Sequence, residues 1–255
     1  MSYFKVIIPN YNSEKYIERC INSILEQTFE DFEIVVVDDM STDNSVEIIK
    51  GIKDKRIHLI ENKEKRYNGG SRNVGIDYGE SKYTLFIDDD DYFISNTCFQ
   101  ELYDKIQECN PDCVSLDYIY DDGVFHHIPL ERNDLPTLVH DNNVACWTKA
   151  IKSELMVHFP ENTLMEDVAQ HIAQVDVLDN CVSLGKTFVV WNRQNPISVS
   201  TKPSEKRKSS EWRQLADVYD LELKHDYCIE EKERRIQEYL DLLLSGRHVW
   251  EELSR

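Results

Sequence analysis

A chain of 255 residues with 48 acidic side chains against 29 lysines and arginines carries a formal charge of −19. That balance excludes a partner gripped through a nucleic-acid backbone, because such a grip draws its affinity from clustered cations. The length suits one sizeable core with a small appendage, and seven scattered cysteines without a Cys-x-x-Cys pair suit free thiols in the cytoplasm rather than a zinc cage.

The apolar stretch between Met1 and Pro9 is too short for a secretion signal, and no run of about 18 apolar residues predicts a membrane span. Phe4 to Ile8 predicts a buried strand broken by Pro9-Asn-Tyr-Asn12, after which Ile17, Ile21, Ile24 and Leu25 recur at helical spacing. Phe32 to Val37 predicts a second strand ending in Asp38-Asp39. Ser41 or Thr42 is placed to cap a helix through Val46, Ile48, Ile49 and Ile52. Next come a strand from Ile57 to Ile60, a polar loop to Gly69-Gly70, a helix through Val74 and Ile76, and a strand from Tyr83 to Ile87. Four aspartates, Asp88 to Asp91, follow at once. A helix with Leu102 and Ile106 precedes a β-rich run from Cys113 to Ile119. A Ser-, Lys- and Pro-containing stretch from Ser198 to Ser209 reads as a linker to two amphipathic helices. The first carries Leu215, Val218, Tyr219, Leu221 and Leu223, the second Ile236, Tyr239, Leu240, Leu243 and Leu244. These helices either pack on the preceding domain or offer a surface for self-association. Alternation of strand and helix predicts an α/β fold, a mainly parallel sheet flanked by helices in Rossmann-like fashion, with a domain over 1–200 and a helical extension over 201–255.

Ligands of open α/β sheets bind beyond the carboxyl ends of the strands, where this chain concentrates its unusual polar groups. Like charges held together repel, so four successive aspartates call for a cation; Mg²⁺ or Mn²⁺ takes carboxylate oxygens and completes its shell with substrate phosphates. A solvated acidic turn is the plainer alternative. Asp38-Asp39 suits hydrogen bonds from a nucleobase or ribose, or else a helix cap, and Tyr11 between two asparagines offers an aromatic face to a base. The Gly69–Gly75 stretch lacks the phosphate-loop and dinucleotide glycine patterns, which removes the usual ATPase and dehydrogenase signals. Its Arg72, read at the start of a helix, suits bidentate pairing with a phosphate or with one of the aspartates.

Four segments in order and spacing carry a resemblance: Val6-Ile-Ile-Pro-Asn-Tyr-Asn12, Ile34 to Asp43, Gly70 to Ile76 and Phe86-Ile-Asp-Asp-Asp-Asp-Tyr92. In them the chain resembles the family 2 glycosyltransferases, inverting enzymes of the GT-A type that use nucleotide-sugar donors. The resemblance implies a nucleotide-sugar half over about 1–95 and an acceptor half over about 96–200. By it, Pro9, Tyr11, Asn12 and Asp39 belong to the donor site, with Arg72 near the donor. Asp88 and Asp90 belong to the metal motif, Asp90 as direct ligand, with Asp89 nearer the ribose and Asp91 structural. Farther on, Trp147-x-Lys149, Phe159-Pro160 and Met165-Glu-Asp167 resemble the acceptor half. They imply Trp147 and Glu166 on the acceptor side and Asp167 as the base. Trp191-Asn-Arg193 and Ser198-Val-Ser200 resemble a closing strand and arm, which brings Arg193 toward the diphosphate. Met40 stands where the family commonly has glycine and Asp89 where serine is frequent. His171, four residues after Asp167, either approaches the site or is a buried structural histidine.

The expected function is transfer of a hexose or N-acetylhexosamine from a UDP-sugar, with Mn²⁺ or Mg²⁺, to a hydroxyl of a saccharide acceptor: surface polysaccharide, teichoic acid or a lipid-linked glycan. A lipid-linked acceptor would bring the chain to a membrane periphery. Two rivals are a sugar-nucleotide synthase, whose glycine-rich, lysine-bearing loop is missing after the first strand, and a non-catalytic nucleotide-sugar-binding module.

Overall fold

The computed structural model of the chain describes residues 1–128, 135–140, 144–163, 166–195 and 213–244. Strand and helix alternate in the first third: β1 (Ser2–Asn10), α1 (Ile17–Leu25), β2 (Phe32–Asp38), α2 (Ser45–Gly51), β3 (Ile57–Glu61), α3 (Tyr67–Asp77) and β4 (Ser81–Phe86). Then follow β5 (Tyr92–Phe93), α4 (Cys98–Cys109), β6 (Cys113–Asp121), β7 (Phe125–Ile128), α5 (Leu135–His140), β8 (Lys149–Lys152), α6 (Asp167–Asp176) and β9 (Cys181–Asn192). Two helices, α7 over 213–219 and α8 (Asp226–Leu244), end the described chain. The expected linker at 198–209 lies outside the described residues.

One sheet joins the nine strands in the order β3-β2-β1-β4-β8-β6-β9-β5, with β7 on β6. Its first four strands are parallel neighbours, as expected, because each returns through a helix that covers a face. Phe4, Val6, Ile7 and Ile8 of β1 are fully buried, and α1 lays Ile17, Cys20, Ile21 and Ile24 against this core. Beyond β4 the sheet is mixed: β8 runs antiparallel to both β4 and β6, while β6 and β9 are parallel. The dipeptide β5 pairs with β9, so the residues between β4 and β5 span from the parallel half to the mixed half.

Several element boundaries differ from the sequence reading. Strand β1 continues through Pro9 and Asn10, paired with Val37 and Asp38 of β2. Ile87 donates to Ile7 O on the β4 side, and Pro9, two residues on, faces that same side where β4 has already ended. Its missing N–H therefore leaves no ladder bond unmade. The cap of α2 is not Ser41 or Thr42. The helix starts at Ser45, whose N–H donates to Asp43, and Ser41 instead binds into the loop after β1.

Helix α3 begins at Tyr67 and so contains Gly69, Gly70 and Gly75, which places Arg72 in its middle. A methyl at Gly75 would lie 2.4 Å from Ile7 Cγ2, and one at Gly69 would lie 2.4 Å from Pro160 O. The glycines are there because α3 packs flush on β1 and on the segment leading to α6. Lys5, buried within β1, donates to Ile76 O and Tyr78 O and so satisfies carbonyls at the end of the same helix.

The C-terminal helices pack on the domain. Val218, Cys228 and Tyr239 share a second apolar cluster with Leu138, Val139, Ile172 and Val175 of α5 and α6. Leu221 and Leu223 fall in the connection between α7 and α8 and still pack there. Among the described residues no helix is long and apolar enough to cross a membrane.

The close approach of α3 to β1 makes Gly75→Ala the informative core substitution. Alanine is the better helix former by about 1 kcal/mol, but forcing its methyl against buried Ile7 costs about 1–3 kcal/mol. We expect a net loss of stability, read as a lower midpoint in urea with an unchanged slope.

Candidate active site

Parallel pairing brings the ends of β1, β2 and β4 to one edge, and hydrogen bonds tie the three ends together there. Asn10 Nδ2 donates to Asp38 Oδ1 at 2.6 Å, and the Ser41 amide returns to Asp38 Oδ2 at 3.0 Å. Asn12, in the left-handed region at φ 53°, accepts the Thr42 amide on its side chain. The Tyr11 amide donates to Asp89 Oδ2 at 2.9 Å, leaving the Tyr11 side chain 47% exposed at the rim. Pro9 is buried in β1 and backs this loop without opening onto it. Met40 also takes a left-handed φ, 66°, which explains why glycine would suit the position, and its side chain projects outward.

Asp39 differs from the expected free acceptor. Its Oδ1 takes the Arg66 amide and Asn62 Nδ2, and its Oδ2 takes the Tyr67 amide and Lys65 Nζ. Two of these donors are amides at the start of α3, so the carboxylate caps that helix. The Lys65 ammonium also lies 3.0 Å from the centroid of the Tyr11 ring.

The acidic turn has differentiated members. Asp91 is fully buried; its Oδ1 accepts the Asn192 amide of β9 and its Oδ2 has no partner. Asp90 accepts Asn195 Nδ2 at 2.7 Å, and burial foremost raises its carboxyl to about 6, with Asp88 adding to the rise and Asn195 opposing it. Asp89 and Asp91 are pushed well up by the same desolvation and by their neighbour Asp90. From beneath, α1 holds the turn: Arg19 donates to Asp90 O and lies over the Tyr92 ring, and Cys20 Sγ reaches Asp88 O. A cavity of ≈ 270 Å³ opens beside the turn, lined by Asn12, Lys15, Tyr16, Thr42, Asp43 and Asn195 among others.

Arg72 joins this turn to the start of α6. Its guanidinium, 1% exposed, donates to Asp88 Oδ1 at 2.7 Å, to Asp167 Oδ1 at 3.2 Å and to Glu166 Oε1. It therefore presents no face to a phosphate; of the two pairings open to it, the carboxylates have it. Asp88 remains 30% and Asp167 32% exposed, while Glu166 is sealed at 3%. Desolvation raises Glu166 to about 7, with the Asp167 charge adding to the rise and Arg72 opposing it. Asp167 is raised too, by burial first, with Arg72 opposing. Buried Cys146 lies near Arg72 and Asp167, next to Trp147.

Trp147 is buried edge-on against Tyr118, with Trp191 beyond it, and exposed Arg193 lies over the rings of Trp191 and Tyr120. This aromatic wall adjoins the Arg72 cluster through Cys146. His171 is buried with Nε2 3.0 Å from Leu138 O, the structural alternative for that residue.

Among the described residues no three His, Cys, Asp or Glu side chains converge on a metal-sized point. Asp88 and Asp90 each give one oxygen to a neighbouring side chain, and no other described residue donates to the second. Two hard oxygen donors fit Mg²⁺ or Mn²⁺, provided that a substrate supplies the remaining oxygens. Lys65, Arg19, Cys146 and Asn195 carry no signal in the sequence, since none belongs to a local pattern.

The chain is similar to known proteins. Streptococcus pneumoniae GlyG, a glycosyltransferase, is 36% identical over 126 residues, 48% of this chain and 42% of GlyG. Bacillus subtilis EpsJ, an uncharacterized glycosyltransferase, is 30% identical over 200 residues, 76% of this chain and 54% of EpsJ. The chain thus spans about half the length of these relatives. Residues 1–349 of Staphylococcus aureus TarS, a poly(ribitol-phosphate) beta-N-acetylglucosaminyltransferase solved in complex with UDP-GlcNAc, share the fold. The TM-score is 0.76 at 22% identity, covering 96% of this chain and 73% of the TarS chain, which places the α/β architecture in the GT-A type. The Glycosyl transferase family 2 model matches residues 5–181, and the chain belongs to that family.

Proposed function

We propose that the chain transfers a hexose or N-acetylhexosamine, with inversion, from a UDP-sugar to a hydroxyl of a saccharide acceptor. One observation carries this reading: a single buried guanidinium joins Asp88 of the donor-side turn to Asp167, a half-open carboxylate at the mouth of the acceptor half. The UDP donor is supported by the UDP-GlcNAc complex of TarS, and a teichoic-acid-like acceptor by the poly(ribitol-phosphate) in its name. Residues 1–200 are the catalytic domain in this reading, and the chain works in the cytoplasm, meeting a lipid-linked acceptor at the membrane periphery. Self-association through the C-terminal helices is a separate proposal, for which Tyr219 and Leu244 supply exposed apolar side chains.

Asp167 takes the proton of the acceptor hydroxyl as its oxygen attacks the anomeric carbon from the face opposite the nucleotide. Arg72 fixes where that carboxylate points. Asp88 and Asp90 would hold a divalent cation, which when bound would supply positive charge to the diphosphate. Tyr11 and Asn12 flank the nucleotide, and Arg193 and Trp147 extend the wall toward diphosphate and acceptor.

The test is a panel of nucleotide sugars with Mn²⁺ or Mg²⁺, read by nucleotide release. Asp90→Asn is expected to abolish metal-dependent donor binding. Asp167→Asn should leave that binding within about twofold and lower turnover about 10²–10⁴-fold, the usual worth of a general base. Normal turnover by both variants overturns the assignment.

A second expectation concerns pH. The base must be ionised, and a carboxyl raised by burial is lost to protonation at a higher pH than an ordinary one at about 4. Glu166, in the same Arg72 cluster, takes up its proton first, at about 7, so kcat should hold through neutrality and fall only as Asp167 itself is protonated, still above the ordinary carboxylate range. Glu166→Gln, whose neutral amide stands for the protonated carboxyl, should leave that limb nearly in place, as steady-state rates across the range will show.

A further inference from the structure

We infer that Lys65 is a specificity-determining residue that reads the edge of the donor's base and selects bases in which a ring N–H adjoins a carbonyl oxygen. The inference deepens the proposed function and rests on the reading of this edge as the nucleotide site.

The argument begins with occupancy. A carboxylate offers about four lone-pair positions, and at Asp39 four donors fill them. Two are the amides of Arg66 and Tyr67, fixed by the start of α3. The third, Asn62 Nδ2, is also anchored to Ser71 Oγ at 3.1 Å. Only Lys65 is on a long, partly exposed side chain, with Nζ 3.0 Å from Oδ2. A base that donates a ring N–H to Asp39 must therefore take the position of Lys65.

The same ammonium also covers the second element of base recognition. It sits 3.0 Å from the Tyr11 ring centroid and donates to the Asp39 carbonyl at 3.0 Å. A base arriving between Tyr11 and Asp39 displaces Lys65 from both. The ammonium loses a cation–π contact and an ion pair and needs a new acceptor within a short swing. Uracil, thymine and guanine provide one: a carbonyl oxygen directly beside the N–H that Asp39 accepts. Cytosine and adenine instead present an unprotonated ring nitrogen to the carboxylate and an amino group to the ammonium. Asp39 and Lys65 together form an acceptor–donor pair matched to the first set and mismatched at both positions with the second.

The experiment compares dissociation constants of UDP, GDP, CDP and ADP, with Mn²⁺, for the full chain and for Lys65→Met and Lys65→Arg. Thermal melts check that both variants are folded. The wild type should favour UDP and GDP over CDP and ADP. Lys65→Met should shrink the UDP-to-CDP ratio by about tenfold or more, the scale of a hydrogen bond from a charged donor, and Lys65→Arg should keep most of it. An unchanged ratio in Lys65→Met overturns the inference, as does equal tightening of all four nucleotides, which would make Lys65 a mere occupant. Wild type that binds none of them fails the nucleotide-site reading itself, a result separate from either of these.

Discussion

A guanidinium closed off from solvent among three carboxylates is expensive unless every charge has a partner, and Arg72 is held in that state by most of the fold around it. Removing one member of such a group strands the others, at about 3–5 kcal/mol for a buried pair. Here one cation faces Asp88, Glu166 and Asp167, so the cluster carries excess negative charge, and the chain relieves it through Glu166. A carboxyl at about 7 is only half ionised near neutrality, which lets Asp167 keep its charge. The segment that delivers Glu166 is latched to α3 by reciprocal bonds between Asn73 and Phe159, and Phe159 itself lies under the guanidinium. Gly69 leaves room for the Pro160 carbonyl at the same contact. Helix α3 is thus the part against which the acidic turn and the start of α6 are positioned.

The acidic turn obeys the opposite economy. Asp88 to Asp91 are not neutralised by nearby arginines: Arg72 reaches only Asp88, and Arg19 binds a carbonyl rather than a carboxylate. Instead, burial and mutual repulsion push the carboxyls of Asp89, Asp90 and Asp91 upward. A cation bound there, as proposed, would relieve that repulsion.

The general plan was legible in the sequence because it is written locally. Apolar runs of strand length with polar groups at their carboxyl ends predict both the sheet and its functional edge, and Asp88 to Asp91 stand out by charge alone. Roles inside the edge were not legible, because they depend on tertiary register. That Asp39 receives the amides of Arg66 and Tyr67 emerges only once α3 is seen to start at Tyr67, and that Arg72 pairs with carboxylates only when Glu166 arrives from 94 positions away. Lys65 lies in a loop without period, and nothing near it in sequence signals Tyr11. Boundaries failed where a side chain usually taken as a breaker met a site that tolerated it: Pro9 at a vacant ladder position, and the α3 glycines at close helix contacts.

The two-residue strand β5 carries a consequence for how the molecule forms. Its partner is β9, so the turn that begins at Asp88 is pinned at its far end by residues about a hundred positions later in the chain. Contacts of such long sequence separation close late, after the loop entropy between them has been overcome. During synthesis the first four strands can assemble while their aspartates are still unrestrained, and the turn acquires its shape only when Val189 to Asn192 dock. The first four strands therefore cannot complete the acidic turn by themselves, although all of them precede β6 to β9.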